Sequence, residues 1–147
     1  MSIAQRSAQT TWNGSLAGGG GRLQGGSGAF DGLDVTWAAR TEQPGGKTSP
    51  EELAAAAHSS CFAMALALRL GERHTPPQQL RVEATVTLDE VDGVPTIVSS
   101  SLRVHGRVAG LDAAGFQEAV GEAAALCPVS RLFTGAQISV DASLGAS

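Results

Sequence analysis

Apolar and polar positions alternate along much of this chain, and in one stretch the alternation gives way. From Ser49 to Leu70, in SPEELAAAAHSSCFAMALALRL, apolar residues fall on nearly every side of a helix. Ser49 is a natural N-cap, Pro50 suits the first helical position, and Glu52 stands where a capping box needs its acid. Ala54, Ala55, Ala56 and Ala57 favour helix, as does the run from Ala63 to Leu68, and Gly71 closes the element. A helix this apolar belongs in the middle of a domain or at a large subunit interface. Its length would suit a membrane span, but Glu51, Glu52, His58, Ser59, Ser60 and Arg69 argue against one. The other elements are expected to wrap it.

Residues 1 to 40 read as strands. Thr10, Thr11 and Trp12 lead into the turn pair Asn13-Gly14. The run Gly18 to Gly21 lacks the preceding apolar strand and the Lys-Ser/Thr ending of a phosphate loop, so it reads as a hairpin connection. Leu33, Val35 and Trp37 alternate with Asp34 and Thr36 in a half-buried strand expected to end near Arg40, and Gln43 to Lys47 is a loop. After a break at His74 to Pro77, Leu80 to Glu90 alternates strictly. Asp92-Gly93 turns the chain, and Pro95 to Val108 returns with Ile97, Leu102, Val104 and Val108. Phe116, Ala119, Val120, Ala123 and Ala124 have helical spacing within Ala113 to Leu126. Cys127-Pro128 interrupts that helix, and Val129 to Phe133 continues it briefly. Ile138 to Leu144 is a final strand. The order is β-meander, long helix, hairpin, second helix, strand: an α+β fold in a single domain over residues 1–147, without internal repeats.

Composition narrows the function classes. Apolar residues make up 42% and charged residues 16%, a globular balance rather than a disordered one. A net charge of −4 disfavours nucleic acid or an anionic membrane as the main partner. The N-terminal MSIAQRSAQTTWNG lacks the continuous apolar stretch of a signal peptide, so a cytoplasmic location is expected. Two cysteines there suggest inert burial, metal binding or redox chemistry rather than a structural staple.

The plainest reading of Cys61 is a small buried hydrophobe in an Ala/Leu/Met helix. Cys127 precedes Pro128 where a helix restarts, a place whose dipole would favour a thiolate, and two such thiols could also act as a redox pair. Zinc is the competing reading. His58 and Cys61 share a helix face at i, i+3, and Cys127, His74 or His105 would have to complete the site. No CxxC is present, and His74 and His105 fall in a loop and on a strand, so His58 is expected to be a satisfied core histidine.

The segment SPEELAAAAHSSCFAMALAL, followed near the end by LCPVSRLF, resembles the OsmC/Ohr family of organic hydroperoxide resistance proteins. That family's pattern is Asn/Ser-Pro-Glu-Glu-Leu, a small-residue run and Cys-Phe, with a distant Cys-Pro-x-Ser. His58, and CPVS rather than CPYS, resemble the OsmC branch. The resemblance covers essentially the whole chain and implies an OsmC-like fold and an intertwined homodimer. It implies a thiol-dependent peroxidase for alkyl or lipid hydroperoxides that needs no metal, flavin or haem. Its disulfide would be reopened by an external dithiol, possibly a lipoylated protein. By the same resemblance Cys61 matches the peroxidatic cysteine, Cys127 the resolving cysteine, Arg40 the arginine that stabilises the thiolate, and Glu51 the carboxylate that holds that arginine. The loop from Arg40 to Pro50 is a residue longer than the commonest family pattern, which leaves Arg22 as a weaker alternative.

The chemistry accounts for these residue types. An apolar helix raises a thiol's pKa, a guanidinium on the sulfur reverses that, and a carboxylate must then compensate the guanidinium. Phe62, Met64, Leu66 and Phe133 are the expected apolar lining. At a rise of about 1.5 Å per residue, Glu51 and Cys61 stand roughly 15 Å apart along a straight helix. Two ways out are a bent helix or, the preferred one, a glutamate supplied by an antiparallel partner helix. Arg69, Glu72 and Arg73 read as the solvated end of the long helix, and Arg103 and Arg107 as the outer side of a strand. The alternative from another class is a non-enzymatic, stress-related binding protein of the same fold with structural cysteines.

Overall fold

A computed structural model describes residues 1–145. The chain forms two compact units, Met1–Leu53 and the remainder from Ala54.

In the first unit, strands β1 (Ala8–Asn13), β2 (Gly20–Gly25) and β3 (Asp31–Val35) form an antiparallel meander in that order. The strand expected to reach Arg40 stops at Val35. Thr36 caps a short helix, α1 (Trp37–Thr41), its hydroxyl accepting the Ala39 N–H at 3.0 Å. The alternation through Leu33, Val35 and Trp37 therefore spans a strand and a cap, and Trp37 and Arg40 share one helix face. Val35 bridges to Thr48, and helix α2 (Pro50–Glu72) follows. Ser49 caps it as expected, accepting the Glu52 N–H at 3.1 Å. The Glu52 carboxylate instead takes the Thr48 hydroxyl at 2.7 Å, closing a variant of the box one residue upstream.

In the second unit α2 runs on from Ala54 to Glu72, one residue beyond Gly71. Phe62, Leu66 and Leu70 on one face are fully buried. Ala56, Ala57, Ser60, Met64 and Leu68 on the other are exposed, Met64 to 72% and Leu68 to 57%. The sheet is β4 (Gln79–Val91), β5 (Val94–Arg107) and β6 (Gln137–Leu144), with β5 central, antiparallel to β4 and parallel to β6. Helices α3 (Ala113–Leu126) and α4 (Pro128–Leu132) form the crossover that a parallel pairing requires. A bulge in β5, between the Thr87–Ser99 and Leu88–Ile97 pairs, shifts its phase. Ser100, Leu102 and Val104 therefore share the buried face with Val108 just beyond the strand, although Ile97 lies out of step with them.

The core joins Phe62, Leu66 and Leu70 of α2 to Leu102 and Val104 of β5 and to Phe116, Ala119, Val120 and Ala123 of α3, with Cys127 at its edge. Gly106 lets the Phe116 ring lie against β5, since a Cβ there would come within 2.7 Å of that ring. The basic end of α2, expected to be solvated, is tied to α3: Arg73 lies 2.6 Å from Glu122 and 3.5 Å from Glu118. Arg69 pairs with Glu72 at 2.7 Å. These pairs add little to stability, since solvent screens them. The imidazole of α2 is wholly enclosed. His58 of α2 has Nδ1 2.6 Å from Ser100 Oγ and Nε2 2.7 Å from Ser130 Oγ, and burial pushes its pKa below the ordinary 6.5.

Two measurements of unfolding follow. Gly106→Ala is expected to lose about 1–3 kcal/mol in urea titration through overpacking against Phe116. For His58 the unfolded chain takes up a proton near pH 6.5 that the folded chain refuses, so stability falls as pH drops below that value. The slope from this group is at most about 1.4 kcal/mol per pH unit. His58→Gln should remove that component between about pH 6.5 and 5, and an unchanged slope would show that His58 is not held neutral.

Candidate active site

Two constellations carry the residues singled out from the sequence, one in each unit. In the first, Arg40 on α1 meets Glu51 in the first turn of α2. Arg40 Nε lies 3.0 Å from both carboxylate oxygens, and Nη2 donates to Oε1 at 2.7 Å. The carboxylate side chain is only 11% exposed and the guanidinium 27%, so each offsets the desolvation of the other. Within the single chain the carboxylate that holds Arg40 is its own, without recourse to the partner glutamate expected from the helix spacing. The loop between them, although longer than the family pattern, still returns Glu51 to Arg40. The Trp37 ring centroid lies 5.7 Å from Arg40 Cζ, a cation–π contact. A cavity of about 220 Å³ opens beside this pair, lined by Trp12, Leu16, Leu23, Trp37 and Leu53. A larger hollow of about 440 Å³ over Gln9, Thr11, Asn13, Arg22 and Gln24 is polar and touches none of the four expected site residues. Arg22 itself faces Asp34 at 3.5 Å with both side chains more than half exposed, a poor setting for holding a buried thiolate.

In the second unit both cysteines are free thiols, Cys61 half-buried on α2 and Cys127 fully buried at the junction of α3 and α4. The two lie close enough that Cys127 bears on the ionisation of Cys61. Burial pushes the Cys61 thiol above its ordinary value and the adjacent Cys127 adds to that, while the Val129 backbone N–H on the sulfur works against them. The sequence placed the restarting helix under the Cys127 sulfur. Cys127 is indeed the N-cap residue of α4, but its side chain makes no cap bond, and the first-turn N–H of Val129 serves Cys61 instead.

His58, one turn before Cys61, is the core histidine expected, with both ring nitrogens taken by Ser100 and Ser130 and the Phe133 ring meeting it edge-on at 5.3 Å. His74 lies just past α2 with φ of 59°, and His105 of β5 faces Ser143 at 3.1 Å. Among the described residues no three His, Cys, Asp or Glu side chains gather as metal ligands. The expected apolar lining is corrected: Phe62 and Leu66 are sealed in the core, Met64 projects outward, and Phe133 packs on His58. Ser100, Ser130, Val129 and Trp37 were not anticipated. A readable signal existed for Ser100, a polar residue in phase with Leu102 and Val104, and for Ser130, one turn after Cys127.

The sequence profile described as OsmC-like protein matches residues 43–143. The chain is 37% identical over 136 residues to the peroxiredoxin OsmC of Escherichia coli strain K12, covering 92% of this chain and 94% of that protein. An equal match is made to the peroxiredoxin OsmC of Shigella flexneri. Among solved structures, the organic hydroperoxide resistance protein OhrB of Bacillus subtilis superposes with a TM-score of 0.70 at 26% identity, covering 93% of this chain and 98% of that one. The organic hydroperoxide resistance protein OsmC of Legionella pneumophila superposes at 0.76 with 19% identity, covering 97% and 99%, a likeness of fold. With a profile over most of its length, a relative at this identity and the same α+β architecture of two sheets and a long helix, the chain belongs to the OsmC family.

Proposed function

We propose that this protein is a thiol peroxidase that reduces organic hydroperoxides. The observation that carries the reading is the pair of free thiols side by side, one half-buried and one fully enclosed. The names of its relatives, a peroxiredoxin and organic hydroperoxide resistance proteins, point the same way. The Cys61 thiolate attacks one oxygen of ROOH; the O–O bond breaks, a proton goes to the departing alkoxide, and ROH leaves with Cys61 as sulfenic acid. The Cys127 sulfur then attacks the Cys61 sulfur, forming the disulfide and releasing water. An external dithiol, by this reading a lipoyl-type one, returns both thiols. Protein side chains carry every step of this scheme, without a cofactor.

The raised Cys61 pKa is the obstacle, and the Arg40–Glu51 pair is the answer to it. We propose a homodimer in which two α2 helices run antiparallel, so that each copy's paired arginine serves the other's Cys61. The exposed Ala57, Ser60, Met64 and Leu68 stripe supports this, since it is apolar and has no cover in the single chain. The apolar cavity beside Arg40 suits an alkyl tail. The second reading, a binding protein with structural cysteines, draws on the same raised thiol.

One equivalent of tert-butyl hydroperoxide should convert reduced protein rapidly to a form two hydrogens lighter, mapped by mass spectrometry to Cys61 and Cys127. The same dose of hydrogen peroxide should act more slowly. Thiols no faster than free cysteine would leave the binding reading standing. Arg40→Gln should slow the first oxidation by about 10- to 100-fold near neutral pH as the thiolate fraction falls. Co-folding Arg40→Gln with Cys61→Ser then tests the composite site. Mixed dimers hold one intact site, so about a quarter of wild-type activity should return, whereas sites confined to one chain would stay silent.

A further inference from the structure

Helix α4 is five residues long and buries none of its own side chains. Free-standing helices in water need about 12 or more residues, so something outside α4 holds it in place. Its own bonds, Arg131 N–H to the Cys127 carbonyl at 3.0 Å and Phe133 N–H to the Val129 carbonyl at 3.1 Å, shape the turn without anchoring it. The anchors lie elsewhere: the buried Cys127 at its start, the Ser130 hydroxyl 2.7 Å from His58 Nε2, and the Phe133 ring edge-on to the same imidazole. Two of the three end on His58.

His58 is well made for that task. Its other nitrogen is fixed by Ser100 at 2.6 Å in the middle of β5, and neither His58 nor Ser100 is exposed at all. A neutral imidazole has one donor and one acceptor nitrogen, and a serine hydroxyl serves as either, so both bonds form in a single tautomer. His58 also lies one turn from Cys61 on the same side of α2, so whatever it holds is held relative to that sulfur. Ser130 directly follows Val129, whose N–H meets the Cys61 sulfur, and comes one turn after Cys127, its thiol neighbour.

We propose that His58 is the positioning residue of the thiol pair, clamping Ser130 so that the Cys127–Val129 turn stays seated on Cys61. The geometry requires only two thiols, while its consequence for turnover rests on the peroxidase reading. With the clamp cut, α4 loosens as a unit and carries the resolving sulfur away. A sulfenic acid on Cys61 then waits longer for Cys127. During that wait a second hydroperoxide transfers an oxygen to it, leaving ROH and a sulfinic acid that thiols do not reverse.

The test is a glutathione redox titration of the whole protein, reading the equilibrium constant for the Cys61–Cys127 disulfide in wild type, Ser130→Ala, Ser130→Thr and His58→Gln. Ser130→Ala deletes one oxygen, and circular dichroism verifies that it remains folded. Its constant should fall about tenfold, that of His58→Gln should fall as well, and Ser130→Thr, which keeps the hydroxyl, should recover the wild-type value. A wild-type constant in Ser130→Ala, or an equal loss in Ser130→Thr, overturns the clamp. Because glutathione disulfide is the oxidant, failure of the peroxide reaction would leave this result unaffected. With tert-butyl hydroperoxide in excess, Ser130→Ala should also accumulate Cys61 sulfinic acid several-fold faster than wild type.

Discussion

An α-helix apolar on all sides has to be covered on all sides, and α2 meets that demand only halfway within one chain. Phe62, Leu66 and Leu70 disappear into the core of the second unit, whereas Met64 and Leu68 stand out into solvent. Burying one such side chain is worth about 1.5–3 kcal/mol, which is what each residue of the stripe would gain from a cover. The same apolarity that gives the fold its centre works against the chemistry proposed for it. A sulfur on this helix is harder to ionise than one in water.

The rest of the arrangement can be read as compensation for that conflict. Among the described residues of the second unit the offset comes from one backbone amide, that of Val129. The first unit holds a guanidinium already bound to its carboxylate by three hydrogen bonds and backed by the Trp37 ring. An arginine so constrained is presented with little further loss of side-chain freedom, and its charge is balanced before any sulfur arrives. Arg40 and Cys61 thus lie in separate units of the chain, each in its own local setting.

The larger elements were legible because their signals are local. Ser49 and Pro50 mark the start of α2, the strict alternation of Leu80 to Glu90 marks β4, and Asp112 caps α3 with its carboxylate on the Gly115 N–H at 2.8 Å. What escaped was short or non-local. Three alternating residues before Arg40 could not reveal that Thr36 ends the strand and starts α1. The bulge near Ile97 is invisible to a period count, and it takes Ile97 out of phase with the buried Ser100, Leu102 and Val104. The resemblance named Arg40, Glu51, Cys61 and Cys127 together. That they fall into two constellations, one per unit, depends on tertiary geometry that no spacing encodes. Phe62 and Leu66 read as pocket lining in the sequence because apolarity alone does not separate a sealed core from an open wall.

The parallel pairing of β6 with β5 has a consequence for how the chain comes to be. β4 and β5 are joined by a tight turn and can zip locally, but β6 reaches its place only after the whole α3–α4 crossover has been laid down. Cys127 rides on that crossover, well after α2 in the chain, so it meets Cys61 only once the crossover is in place. A nascent chain exposed to oxidant therefore presents Cys61 first and without its neighbour. The time between emergence of α2 and docking of β6 is an interval in which Cys61 stands without the thiol that later lies beside it.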